Sequence, residues 1–272
     1  MISQNNNSIF RAERPFFEKI YHQLNKRELV HPDPLEFLYR YQNKEDREIA
    51  GLIASSLAYG RVTQILKSVE SVLGKLSLSP SIFISETDPR EFRRMFGGFK
   101  HRFTDGHEIA SLLTAIKEVK SEYGLLEVCF KEGLRRNNSQ ENCLGALSFF
   151  VKEITRYFEG GETYLVPHPE KGSACKRLNL FLRWMVRKDD VDSGDWEGIE
   201  RKLLLVPLDT HMNNICKILG FTARKSADMK TVLEISRAFA KINPDDPVKY
   251  DFALTRLGIH PDMKISDLKN YI

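Results

Sequence analysis

The chain has 272 residues, 42% hydrophobic and 29% charged, enough apolar material for one large domain or two lobes sharing a core. No apolar run approaches the ~20 residues of a membrane span. Its 41 basic and 37 acidic residues leave a net charge of +4, which permits a polyanionic partner without requiring one.

Cys129, Cys143, Cys175 and Cys216 lie far apart and form no CxxC pair. Their spacing excludes a zinc site and a four-cysteine iron–sulfur loop, and fits reduced, buried thiols in a cytoplasmic protein. The N-terminus, MISQNNNSIFRAERPFFEKI, has no basic-then-apolar signal pattern, and its Asn-rich start is expected to fray.

Residues 1–43 read as a helical extension. Within it PLEFLYRYQ (34–42) opens on a proline-permitted turn and sets Leu35, Leu38 and Tyr39 on one face. KEDREIAGLIASSLAYG (44–60) starts acidic, turns apolar and stops on glycine, as a buried helix does. Its small residues Ala50, Gly51, Ala54, Ser55 and Ala58 let a neighbouring helix approach closely. RVTQILKSVESVLGKL (61–76) repeats Val62, Ile65, Val69, Val72 and Leu76 at helical spacing.

Further helical patterns occupy about 107–134, 140–158, 174–187, 195–205, 210–219, 228–241 and 247–257. ETYLVPH (162–168) is the one plausible extended piece. No internal repeat or low-complexity linker divides the chain, and the loops near 97–106 and 158–173 are its best seams. The expected fold is all-α, a single unit of 1–272 with sublobes of about 44–145 and 146–260 and room for a cleft between them.

Two segments carry candidate chemistry. In PEKGSACKRLNLFLRWMVRKDD (169–190) the residues from Leu178 to Val186 are apolar on nearly every side, so the helix is buried. Its start carries Gly172, Ser173, Lys176 and Arg177. A helix N-terminus and a hydrophobic body both disfavour the ammonium form, the usual route to an amine nucleophile. The free N–H groups of that turn, with Lys171 and Ser173, suit a phosphate. A lysine merely rimming the core would look the same.

Downstream, LLLVPLDTHMNNICKILGFT (203–222) places Asp209 before a helix, where it can cap the first turn. A metal site on Asp209 and His211 lacks further ligands at suitable spacing.

CKRLNLFLRWMV followed by VPLDTH resembles the helix–hairpin–helix DNA glycosylase superfamily, in which a lysine opens the second hairpin helix and an aspartate begins a later one. The 33 positions from Lys176 to Asp209 resemble the archaeal-type 8-oxoguanine DNA glycosylases. The whole chain looks like a bacterial conserved-hypothetical family near that branch, with KGSACKRLNLFLRWMVR, VPLDTH and YDFALTRLGI as its hallmarks. The resemblance is clear over about 165–260 and weaker back to LIASSLAYGRVTQI. PHPEKGS replaces the usual L-P-G-x-G hairpin turn, and the iron–sulfur cysteines are absent.

The resemblance implies a two-lobed fold with a central cleft, no cofactor, no metal, and duplex DNA containing a damaged base as the partner of a monomer near the nucleoid. Lys176 would be the nucleophile and Asp209 the catalytic carboxylate. Asp251, seven positions before Gly258, would read the purine, although an N-cap role fits it equally. Tyr59 and Gln64 would line the base pocket or separate the strands, although surface or packing roles fit them as well. Trp196 in DSGDWEG is a residue type that stacks on a base or closes a lid, and plain packing fits it too. Arg61, Lys171, Gly172, Ser173 and Arg177 would meet the DNA backbone, and Arg183 and Arg187 share that basic segment. A non-catalytic protein binding DNA or RNA on the same scaffold is the alternative.

Overall fold

A computed structural model describes residues 13–138, 140–260 and 262–271, so the Asn-rich start lies outside the described residues. Helix follows helix: α1 (Arg14–Leu24), α2 (Lys44–Ser56), α3 (Val62–Leu73), α4 (Pro80–Glu86) and α5 (Pro89–Phe96). A small hairpin of β1 (Lys100–His101) and β2 (Thr104–Asp105) leads into α6 (Gly106–Tyr123) and α7 (Leu126–Asn137). Then come α8 (Leu144–Thr155), α9 (Lys176–Val186), α10 (Thr210–Ile218), α11 (Met229–Ile242) and α12 (Asp251–Ile259).

The all-α expectation is borne out, and one continuous cluster of buried side chains runs from Phe16 to Leu268. α2 lies at its centre. Asn43 accepts from the Glu45 N–H to cap it, Glu45 and Asp46 favour its positive end, and the stretch from Ile49 to Leu57 is buried. Its small residues do what their pattern suggests. A Cβ on Gly51 would sit 3.3 Å from the Phe181 ring and 3.4 Å from Met185 Cε, so glycine is what lets α9 lie against α2. The body of α9 is buried on nearly all sides.

Several expectations need correction. The 34–42 element is a 3-10 helix over Pro34–Arg40. The long 107–134 pattern is two helices, broken at Gly124 with φ 81°. The 195–205 periodicity holds only a 3-10 turn at Arg201–Leu203, because Gly194 and Gly198 take φ 61° and 69°. ETYLVPH forms no strand, and the paired strands lie instead in the 97–106 loop. α4 and α5 fill a stretch for which periodicity gave no element, although each has a proline in its first turn after a capping Ser79 or Asp88.

The N-terminal segment is part of this core. α1 packs on α12, and the Pro34–Arg40 helix packs on α2. Arg256 of α12 reaches back to the segment through hydrogen bonds to Asp33 Oδ2 (2.8 Å) and the Leu29 and Val30 carbonyls.

Candidate active site

Lys176 is the first residue of α9. Cys175 before it has φ 47°, a left-handed backbone that is uncommon for a residue with a Cβ. That turn is held by the Cys175 N–H bond to Ser173 Oγ, and no side chain caps the helix start. The Lys176 side chain is therefore delivered at the positive end of a buried helix, about one-third exposed.

Asp209 divides its two oxygens between two tasks. Oδ1 accepts the Met212 N–H at 2.8 Å and caps α10, as its place before THMNN predicts. Oδ2 lies 3.7 Å from Lys176 Nζ. The sequence reading has this carboxylate cap the helix and still face a cleft. The geometry accommodates both.

The pair opens on a cavity of about 280 Å³ that Asp251 also lines, close to the lower end of small-molecule pockets. Leu180 and Arg183 of α9 continue its wall. Ala58, Gly60, Val62 and Ile65 come from the α2–α3 corner, and Pro32–Pro34 from the N-terminal segment. The α12 wall holds Thr255, Arg256 and Gly258. A Cβ on Gly258 would lie 2.5 Å from His211 Nδ1, so this glycine leaves the space that the His211 ring occupies beside the cavity.

Asp251 is not an N-cap. It is the first residue of α12, its side chain caps nothing, and Oδ2 accepts from Arg183 at 2.5 Å. Oδ1 has no partner among the described residues. Burial pushes its carboxyl up to about 6; Asp209 and Asp192 push the same way, against the pull of Arg183.

Arg183 also holds Asp192, and Arg187 bonds Asp192, Asp189 and Asp246. These two arginines are buried ion-pair anchors, not the phosphate contacts that a basic segment suggested. Such a network fixes Asp251 in place, because loosening one member strands a buried charge.

The other sequence candidates divide. Trp196 is buried away from the cavity, among Phe130, Phe150 and Phe181, with its indole N–H on Glu48 Oε2 at 3.0 Å. It is a core residue. Arg177 is also buried, donating to the Ser56 and Tyr164 carbonyls between the rings of Tyr59 and Tyr164, which turns it away from any backbone. Tyr59 stands beside the cavity-lining Ala58 and Gly60, its hydroxyl bonded to His101 O and Thr104 Oγ1.

Gln64 and Arg61 are exposed on and just before the first turn of α3. Gly172 and Ser173 precede α9 rather than opening it. There they pair with the start of α11, through the Met229 N–H to the Gly172 carbonyl and a Ser173–Asp228 bridge. Lys171 is ion-paired with Glu162.

Asp33, Arg183 and Arg256 are the wall residues whose position no local pattern announced. Burial raises all four thiols, Cys175 to about 11 and Cys143 to about 12, which keeps them protonated and unreactive. Among the described residues no three His, Cys, Asp or Glu converge to hold a metal, and no helix is long and apolar enough to cross a membrane.

The family described as "Protein of unknown function (DUF2400)" matches residues 33–260. That span contains every cavity-lining residue named above except Pro32. No curated protein and no solved structure matches the chain.

Proposed function

This chain belongs to the DUF2400 family, and we propose that it is a DNA glycosylase with an associated AP lyase step, acting on an oxidised purine such as 8-oxoguanine. The observation that carries the reading is the approach of Lys176 Nζ and Asp209 Oδ2 to 3.7 Å on a cavity of about 280 Å³. That space suits one extruded base. In this reading the two-lobed helix–hairpin–helix fold is represented by α8 and α9, joined through 156–175 in place of the short hairpin turn. A single copy engages duplex DNA at the nucleoid.

The chemistry follows from the placement. Once it has given up a proton to solvent, the Lys176 amine attacks C1′ of the flipped nucleotide, forming an N–C bond as the glycosidic bond breaks. The base leaves with that electron pair and takes up a proton. Asp209, fixed by its cap bond, accepts a proton from the amine or faces the positive charge developing on the sugar. Opening of the sugar ring gives the imine, from which loss of a C2′ proton expels the 3′ phosphate. Asp251, held by Arg183, meets the base edge with its unpartnered oxygen.

Incubation with a duplex carrying one 8-oxoguanine, followed by borohydride, tests the reading. A covalent adduct is expected with the native chain and none with Lys176→Ala, while both bind the duplex. Binding without base release or trapping across a panel of lesions would leave a non-catalytic nucleic-acid-binding protein.

A further inference from the structure

The tip of the β1–β2 hairpin holds two residues, Arg102 and Phe103, largely in solvent. Phe103 is 66% exposed, and Arg102 turns the corner with φ 52°. The residues flanking them are locked down. His101, 1% exposed, donates from Nε2 to the Tyr59 carbonyl at 3.1 Å and meets Ser68 Oγ through Nδ1 at 2.8 Å. The Tyr59 hydroxyl bonds the His101 carbonyl at 2.9 Å and Thr104 Oγ1 at 2.8 Å. Strands of two residues have no stability of their own, so these clamps are what hold the tip out in solvent.

The tip stands at the cavity's edge. Gly60 is exposed and lines the cavity, and a Cβ there would lie 2.8 Å from Arg102 Cδ. The Phe103 ring meets Tyr164 edge-on at 5.5 Å, and Tyr164 packs in the same way on Tyr59 at 4.9 Å. Arg61, Lys100 and Arg102 are exposed around it, and none has an ion-pair partner among the described residues. A rigid aromatic point beside a base-sized cavity, ringed by unpaired cations, is complementary to a stacked polyanion.

We propose that the Arg102–Phe103 tip is a wedge that enters the duplex where a nucleotide has left the stack, with Phe103 stacking on the orphaned bases and Arg102 on the adjacent backbone. This rests on the glycosylase reading, because only a duplex with an extruded nucleotide offers the gap.

The test uses a duplex with a central tetrahydrofuran abasic site opposite 2-aminopurine, beside the same duplex intact. The native chain is expected to quench the 2-aminopurine. Phe103→Ala is expected to lose the quench and bind the gapped duplex about tenfold more weakly, with intact-duplex affinity unchanged. Phe103→Trp restores both, and equal melting temperatures show that the fold is kept. A Phe103→Ala chain that quenches and binds as the native one does overturns the wedge, as do equal losses on gapped and intact duplexes.

Borohydride trapping separates the two readings. Trapping by the native chain with an unaltered Phe103→Ala signal removes the wedge alone. No trapping and no duplex binding by the native chain removes the glycosylase reading and the wedge with it, and leaves the tip as a contact for a protein partner.

Discussion

Substitutions at Asp209 separate the two tasks of its carboxylate. Asparagine keeps an oxygen for the Met212 N–H, bonded at 2.8 Å, and as a cap it is equivalent to aspartate. It removes the charge 3.7 Å from Lys176 Nζ, an ion pair between partly exposed groups worth at most ~1 kcal/mol. The Asp209→Asn chain should therefore melt within ~2–4 °C of the native one. Asp209→Ala loses the cap bond as well, a further ~1 kcal/mol and another ~2–4 °C.

Chemistry should not follow that ladder. Loss of a preorganised charge costs ~10²–10³ in rate, and both variants lose it equally. Single-turnover trapping on an 8-oxoguanine duplex, measured beside thermal melts, gives the two quantities on the same samples. An Asp209→Asn chain that traps at the native rate would refute the reasoning. So would trapping losses that track the melting temperatures.

Trp196→Phe removes the indole N–H from Glu48 and should destabilise the fold by ~1–3 kcal/mol, with the trapping rate within about twofold of native; a selective loss of lesion recognition would return Trp196 to the base pocket. Burial raises the Glu48 carboxyl to about 7 against the bonds it accepts from Leu126, Glu127 and Trp196. The folded state holds that proton more tightly, so stability should be full at low pH for this group and fall by about 3 kcal/mol as pH rises from the ordinary carboxylate range through 7. Denaturant midpoints across pH 4–8 check this against Glu48→Gln, which should flatten that part of the curve; equal slopes would contradict it. Gly258→Ala should displace the His211 ring from its place beside the cavity, slowing lesion processing several-fold and destabilising the fold by ~1–3 kcal/mol through overpacking, whereas a native rate would show that the ring's position is immaterial.

Helical periodicity revealed most of the fold because these helices bury one face or all of it. The small-residue face of α2 foretold the close approach of α9, and the stretch before THMNN foretold the Asp209 cap. What escaped shares a physical cause. The β1–β2 strands are two residues each, too short to show alternation, and are held by Tyr59 and Ser68 from elsewhere in the chain. The 195–205 segment has helical spacing but is pinned by Trp196 and two left-handed glycines.

Arg177, Arg183 and Arg187 read as surface charge because only part of their partner set, Asp189 and Asp192 for the last two, is near in the chain. Ser56, Asp246 and Asp251 are brought to them only by folding. At the site, Lys176 and Asp209 were legible from their helix starts. Asp33 and Arg256, which complete the cavity wall, meet across a separation no spacing rule spans.

The most direct test maps the covalent link. After borohydride reduction on an 8-oxoguanine duplex, proteolysis and mass spectrometry of the adduct should place the sugar remnant on the Lys176 Nζ of the native chain. A remnant on another lysine, or an adduct that persists undiminished in Lys176→Ala, would contradict the assignment of this amine as the nucleophile.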